Sequence, residues 1–118
     1  MMKFYLEEGT NNLVASKVPL KMCENFKELT ADSTDAATEK HVPVVNINGD
    51  NVEVIVGSVE HPMTDKHWIT TIVLETENGF YKRNLQADEE PKANFVTTDK
   101  PVAVYEYCNL HGLWVSRV

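Results

Sequence analysis

Five side chains that can bind a transition metal stand near predicted strand ends, although the chain holds only four histidines and two cysteines. His41 opens an apolar stretch, His61 and His67 flank a Pro-containing turn, and Cys108 and His111 share the turn "CNLH". Imidazole nitrogen and thiolate sulfur favour Zn, Cu or Fe over Mg or Ca. A single histidine is more often a surface or core residue than a ligand. The joint placement of all five predicts one metal site.

The number of ligands narrows the identity of the metal only in part. A structural zinc site is closed by four ligands, and five are present here. A blue-copper site takes two His, one Cys and usually a weak axial Met. Because Met63 lies close to His61 in the sequence, copper stays among the possible metals. Five ligands around iron would leave one octahedral position vacant for a small molecule. The spacing therefore leaves iron, copper and zinc as alternatives.

The elements that must position these side chains are predicted to be strands. Alternating or β-branched residues are separated by turn signals such as Asn48-Gly49 and Asn78-Gly79. No long stretch repeats apolar residues with helical spacing. Strand ends meet at the rims of a sandwich, where distant loops come together. Short strands at this spacing predict an all-β sandwich or barrel; they cover residues 41–47, 52–59, 68–76, 79–85, 93–98 and 101–108.

Length and composition set wider limits on the function. A chain of 118 residues with 42% apolar residues suits one compact domain with a single core. A net charge of −7 argues against nucleic acid as a partner. No apolar run is long enough to span a membrane, and the first residues do not look like a signal peptide. We therefore expect a cytoplasmic protein with no nucleic-acid or membrane partner, in which Cys23 and Cys108 stay unpaired.

The first 33 residues differ from the rest of the chain. They contain few alternating stretches, and the polar segment 29–40 reads as a loop or a single helical turn. We place a soft boundary near Ser33, which gives a short N-terminal segment, 1–33, and a metal-binding domain, 34–118. The N-terminal segment is too short to bury a core of its own, so we expect it to pack on the sandwich or on a partner chain.

Three sequence blocks resemble the iron centre of superoxide reductases, the family that includes desulfoferrodoxin and neelaredoxin. The blocks are "EKHVPVV", "GSVEHPMTDKHWI" and "YCNLHGLW", in this order between Thr34 and Trp114. The resemblance implies an immunoglobulin-like, seven-stranded antiparallel β-sandwich and one mononuclear iron per chain. It implies four equatorial histidines and one axial thiolate as ligands, namely His41, His61, His67, His111 and Cys108.

The resemblance also implies an enzyme and its partners. Members of the family reduce superoxide to hydrogen peroxide with one electron and two protons, and rubredoxin or a similar carrier re-reduces the iron. Relatives are dimers or tetramers, which implies a homo-oligomer. The pair Glu39-Lys40 matches the family's Glu-Lys pair, in which the carboxylate can bind ferric iron and the ammonium lies over the open site. Lys40 is therefore the residue expected to attract superoxide, and Lys66 is a weaker candidate.

The N-terminal segment departs from the family pattern. It resembles the start of a small rubredoxin-like iron domain, but Glu7 and Thr10 stand where a C-x-x-C is expected, and Cys23 stands alone where two cysteines are expected. One cysteine cannot hold a four-thiolate iron site. We expect a vestigial, desulforedoxin-like segment without metal.

Two rival functions fit the residues without the resemblance. One is a non-catalytic β-sandwich that holds Zn or Cu for structure or transport. The other is an immunoglobulin-like adhesion module whose histidines are incidental.

In the enzyme, the backbone N–H groups of Leu110 and His111 are expected to donate to the sulfur of Cys108 and tune its potential.

Overall fold

The computed structural model describes residues 2–33 and 36–118. The chain forms two compact units, Met1–Thr30 and Ala31–Val118, here called the N-terminal and the C-terminal unit. Within the described residues, no helix has the length and apolar character needed to cross a membrane.

The N-terminal unit is a three-stranded antiparallel sheet in the order β2-β1-β3. Its strands are β1 (Lys3–Glu7), β2 (Leu13–Ser16) and β3 (Phe26–Leu29). The sequence predicts no strand here, because neighbouring residues such as Phe4 and Tyr5 are both buried and break the expected alternation. The structure therefore adds three strands to a segment in which the sequence analysis assigns none.

A carboxylate joins the turns of the N-terminal unit. The Glu7 carboxylate accepts hydrogen bonds from the Asn12 amide at 2.9 Å and from the Asn25 amide at 3.1 Å. Thr10 Oγ1 donates to the backbone oxygen of Glu7 at 2.9 Å. The two positions that replace the expected C-x-x-C therefore form a hydrogen-bonded network that links the β1–β2 turn to the segment before β3.

The C-terminal unit contains one helical turn, α1 (Thr38–His41), and seven strands. One sheet has the order β10-β9-β6-β7, the other has the order β4-β5-β8, and all pairs are antiparallel. The predicted all-β, immunoglobulin-like, seven-stranded sandwich is confirmed. The strands are β4 (Pro43–Asn48), β5 (Asn51–Val56), β6 (Ile69–Thr76), β7 (Phe80–Asn84), β8 (Lys92–Val96), β9 (Pro101–Cys108) and β10 (Gly112–Arg117).

The hydrophobic core takes alternate residues of β5 and much of β6 and β9. In β5, Val52, Val54 and Val56 are buried while Glu53 is exposed, so this strand turns one face to the core. The core also includes Cys108 at the end of β9. The apolar core therefore extends directly to the residue predicted to bind a metal.

The structure corrects the prediction that His41 opens a strand. His41 ends α1, where the Val42 N–H donates to the Thr38 oxygen at 2.9 Å. Val42 itself is extended, with φ −69° and ψ 121°. Proline disfavours the helical conformation of the residue before it, here Val42. Pro43 therefore ends the helical turn, and β4 begins there.

The sequence also misses the last strand of the sandwich. β10 pairs with β9 from Gly112 opposite Cys108 to Arg117 opposite Ala103. We predict Trp114 to be a core or site-wall residue, and it is buried on this strand. The turn between Cys108 and His111 is therefore a hairpin turn between two paired strands.

Candidate metal centre

The position of His41 depends on a close approach between α1 and the loop that follows β5. The backbone oxygen of Glu39 accepts hydrogen bonds from Val59 N at 2.9 Å and from Ser58 Oγ at 3.2 Å. A Cβ atom on Gly57 would lie 2.7 Å from that oxygen and 3.0 Å from the Lys40 carbonyl carbon. Only glycine fits here without displacing the helical turn, so Gly57 allows the backbone of α1 to pack closely against this loop.

His61 lies in the same loop and has a defined ring orientation. Its backbone N–H donates to the Val56 backbone oxygen at 3.1 Å, and its ring Nδ1 lies 2.7 Å from the Pro62 backbone oxygen. A carbonyl oxygen only accepts, so Nδ1 carries the hydrogen and Nε2 keeps its lone pair. His61 Nε2 is buried and has no hydrogen-bond partner among the described residues, as expected for a metal-binding atom.

His67 is held mainly through its backbone. An isolated antiparallel bridge pairs it with Thr64, with bonds of 2.9 and 3.2 Å between their backbone groups. The Thr64 hydroxyl adds an acceptor for the His67 N–H at 3.1 Å. His67 Nε2 is also buried and unpartnered among the residues described.

Cys108 and His111 lie at the two ends of the β9–β10 turn. The Leu110 and His111 N–H groups donate to the Cys108 sulfur, which agrees with the expectation from the sequence. Gly112, at φ +83°, allows the chain to enter β10, and the indole of Trp114 donates to the His111 oxygen at 3.1 Å. The turn thus fixes a thiol and an imidazole side by side.

The four imidazole rings form a closed cycle of neighbours. The distances between ring centroids are 4.7 Å for His41–His61, 4.7 Å for His61–His67, 5.0 Å for His67–His111 and 4.8 Å for His111–His41. Adjacent rings are steeply inclined, with interplanar angles from 64° to 81°. The Cys108 sulfur lies 4.0 Å from His111 Nδ1. All five residues that the sequence singles out are therefore brought together.

The dimensions of four members of the cluster fit a single ion, while His67 joins them through its ring contacts with His61 and His111. One donor atom from each of His41, His61, Cys108 and His111 lies within 4.8 Å of the others. Two ligands on opposite sides of one ion are roughly 4–4.6 Å apart, since metal–nitrogen and metal–sulfur bonds are about 2.0–2.3 Å long. Buried nitrogens without partners and a soft sulfur suit a transition metal.

Met63, the residue that kept copper among the possible metals, packs on the core, and its sulfur accepts a hydrogen bond from the Ile69 backbone N–H at 3.3 Å.

The environment of the cluster favours the neutral form of three of its imidazoles, those of His41, His61 and His67. Burial, together with the nearby histidines, lowers the pKa of His41 and of His61 to about 4. Burial and His111 also lower the pKa of His67. Burial raises the pKa of Cys108 to about 11, although the two backbone N–H groups act in the opposite direction. Near pH 7, the metal-free cluster therefore offers the neutral imidazoles of His41 and His61 and a protonated Cys108 thiol.

The charged residues Glu39 and Lys40 are exposed on α1. The Lys40 ammonium is close enough to lower the pKa of both His41 and His67. Lys66 is exposed as well, and its backbone oxygen accepts a hydrogen bond from Asn109 at 2.9 Å. Of the two lysines, Lys40 is the one whose charge acts on the rings.

Two residues of the site escape the sequence analysis. Glu106 is 1% exposed, and its Oε2 lies 3.7 Å from His41 Nδ1, while burial and Asp32 raise the pKa of the Glu106 carboxyl. A glutamate at a core-facing position of an apolar strand is a signal in the sequence that could have identified Glu106 as a residue of the site. Asn109 bonds to the loop that carries His67, and nothing in the sequence distinguishes it from an ordinary turn asparagine.

Comparison with known proteins gives a consistent family. The family profile described as Desulfoferrodoxin matches residues 33–117. A desulfoferrodoxin of Syntrophotalea carbinolica is 41% identical over 95% of this chain and 84% of its own length. A desulfoferrodoxin of Nitratidesulfovibrio vulgaris is 42% identical over the same shares of both chains.

Solved structures give the same answer. The superoxide reductase of Treponema pallidum superimposes with a TM-score of 0.85 at 35% identity, covering 99% of both chains. A one-iron superoxide reductase of Giardia intestinalis covers 68% of this chain and 97% of its own, with a TM-score of 0.57 and 34% identity. With the matching family profile and the cluster of four imidazoles and one thiol, these similarities show that the chain belongs to the desulfoferrodoxin family.

Proposed function

We propose that this protein is a superoxide reductase, an oxidoreductase that converts superoxide to hydrogen peroxide. The reaction consumes one electron and two protons for each superoxide. The observation that supports this activity most directly is the closed cycle of four imidazole rings beside the Cys108 sulfur. Family membership and the similarity to superoxide reductases of other organisms support the same activity.

The proposed metal is one mononuclear iron per chain. His41, His61, His67, His111 and Cys108 would hold it, and their neutral nitrogens and soft sulfur suit this ion. Iron held by these residues would supply the one electron that superoxide takes up. The pKa of about 4 for His41 and His61 keeps both imidazoles neutral over the physiological pH range, so each retains one ring nitrogen with a free lone pair.

Lys40 and Glu39 are the proposed catalytic residues. Lys40 places a positive charge beside His41 and His67 on a protein with a net charge of −7, which would attract the superoxide anion to the cluster. Glu39, next to it on the exposed side of α1, is the proposed reversible ligand of the oxidised metal.

The partners and location are proposals as well. We propose a rubredoxin-like protein as the electron donor, a homo-oligomer as the assembly, and a cytoplasmic location. The N-terminal unit is proposed to carry no metal, because Glu7 and Thr10 form a hydrogen-bonded network at the positions of two expected cysteines.

Iron analysis combined with pulse-generated superoxide tests the proposal. We expect about one iron per chain, a visible band in the oxidised protein, and one hydrogen peroxide for each superoxide consumed under reducing conditions. Replacing the sulfur in Cys108→Ser should remove the band while leaving the protein folded. Stoichiometric colourless zinc and no reaction with superoxide would instead support the non-catalytic rival.

A further inference from the structure

Asn109 connects two loops that lie far apart in sequence. Its Oδ1 accepts a hydrogen bond from the Trp68 N–H at 2.9 Å, and its Nδ2 donates to the Lys66 oxygen at 2.9 Å. The Asn109 N–H also donates to the Trp68 oxygen at 3.3 Å. The side chain therefore binds the backbone on both sides of His67 and uses its donor and its acceptor at once.

Before Ile69, where the β6–β9 pairing begins, the other hydrogen bonds of His67 are local. Thr64 pairs with His67 within the loop that carries both residues. This pairing fixes the shape of the loop but not its distance from the turn that carries Cys108 and His111. The β6–β9 pairing ties Ile69 to Cys108, and Asn109 extends this link to the backbone on both sides of His67.

The other rings are fixed differently. The ring of His61 donates to the Pro62 oxygen, and the ring of His41 stacks on Trp114 with a centroid distance of 5.0 Å and an angle of 13°. For His67, the described hydrogen bonds reach its backbone and that of its neighbours. The orientation of its imidazole therefore depends on where the backbone of residues 66–68 is held.

We propose that Asn109 is a positioning residue that keeps His67 in the metal site by clamping the backbone on both sides of it. The inference rests on the proposed metal site, because its effect is on metal binding. It adds to that site a link between the His67 loop and the Cys108–His111 turn. Residues that orient metal ligands typically change metal affinity by about 10–100-fold when they are removed.

The first experiment measures Fe²⁺ affinity under anaerobic conditions by competition with a chelator, with the unfolding midpoint of the metal-free protein measured in parallel. Asn109→Ala should weaken Fe²⁺ binding about tenfold or more. Asn109→Asp keeps an acceptor for Trp68 N–H but loses the donor to Lys66, so a smaller loss is expected. Asn78→Ala is the matched control, because Asn78 follows the other end of β6 and also bonds through its side chain, to Asp99.

A double-mutant cycle shows whether the effect passes through His67. If Asn109 acts by positioning His67, Asn109→Ala should cost little further affinity in a His67→Ala background. In a His41→Ala background it should keep its full effect. Both pairs of variants are compared in the same chelator assay, and the absorption spectrum of the oxidised protein gives a second readout.

The outcomes separate the two proposals. Loss of affinity in Asn109→Ala that vanishes in the His67→Ala background supports the clamp. Unchanged affinity, equal losses in both backgrounds, or a drop only in the metal-free unfolding midpoint would overturn it. If the unsubstituted protein binds Zn²⁺ but not Fe²⁺, the proposed function fails, and the same cycle with Zn²⁺ still decides the role of Asn109.

Discussion

At the scale of single residues, the proposed ligands differ in protonation before a metal arrives. Burial holds the pKa of His41 and His61 at about 4 and that of Cys108 at about 11. At pH 7, these two imidazoles are therefore ready to bind, whereas the thiol must first lose a proton. Because a bound metal ion favours the thiolate, metal binding and loss of this proton are coupled.

We predict that Fe²⁺ binding at pH 7 releases about one proton per chain, from Cys108. Calorimetric titration in buffers with different ionisation enthalpies measures this number. Cys108→Ala should bind more weakly and release close to none. An observed heat that is independent of the buffer in the unsubstituted protein would contradict the prediction.

Lys40 allows a second prediction at this scale. Lys40→Ala should slow the reaction with superoxide about tenfold, roughly 1.4 kcal/mol in barrier, and should weaken its dependence on salt. Lys100→Ala removes the same charge from the turn after β8 and serves as the control. Equal rates for Lys40→Ala and the control in rapid kinetics would exclude the attraction of superoxide by Lys40.

At the scale of elements, the site depends on how α1 rests on the loop after β5. Gly57→Ala would place a methyl group 2.7 Å from the Glu39 oxygen, so α1 and His41 must move. We predict at least a tenfold loss of Fe²⁺ affinity, because a ligand is displaced. Gly79→Ala is the matched control, since its Cβ would meet only Thr76 Oγ1 at 4.0 Å.

Chelator competition measures both glycine variants. If Gly57→Ala binds Fe²⁺ as tightly as Gly79→Ala does, then α1 tolerates the movement and does not set the position of His41. The unfolding midpoint of each variant separates a local displacement from a general loss of stability.

The sandwich and the His/Cys cluster could be predicted because their signals are local. β9 shows clear strand character between turn residues, and its bounds are confirmed, while the ligand types stand out by their chemistry. The strands of the N-terminal unit and β10 could not be predicted this way. Their burial does not alternate, and β10 is recognisable chiefly through its pairing with β9. The role of Asn109 depends on bonds across more than forty residues, which no local pattern encodes.

At the scale of the whole molecule, the buried imidazoles make stability depend on pH. The pKa of His61 is about 4 in the folded protein and about 6.5 when unfolded, so the unfolded chain binds more protons between these values. Stability from this residue is therefore complete above pH 6.5 and is lost as the pH falls toward 4.

We predict that metal-free protein loses about 2 kcal/mol through His61 between pH 7 and pH 5. His61→Phe, which cannot titrate, should show a correspondingly smaller loss over this interval. Urea unfolding followed by tryptophan fluorescence measures it in the C-terminal unit, because Trp68 and Trp114 both lie there. Parallel losses in both proteins would show that His61 is not responsible.

The two thiols differ in accessibility, which gives the protein a convenient chemical handle. Cys23 is exposed, whereas Cys108 is buried, and both are free. Alkylating reagents attack an accessible thiolate, so a maleimide dye would label Cys23 in the N-terminal unit and spare Cys108. The molecule can thus be tethered to a surface or tagged for fluorescence without altering Cys108, the proposed sulfur ligand.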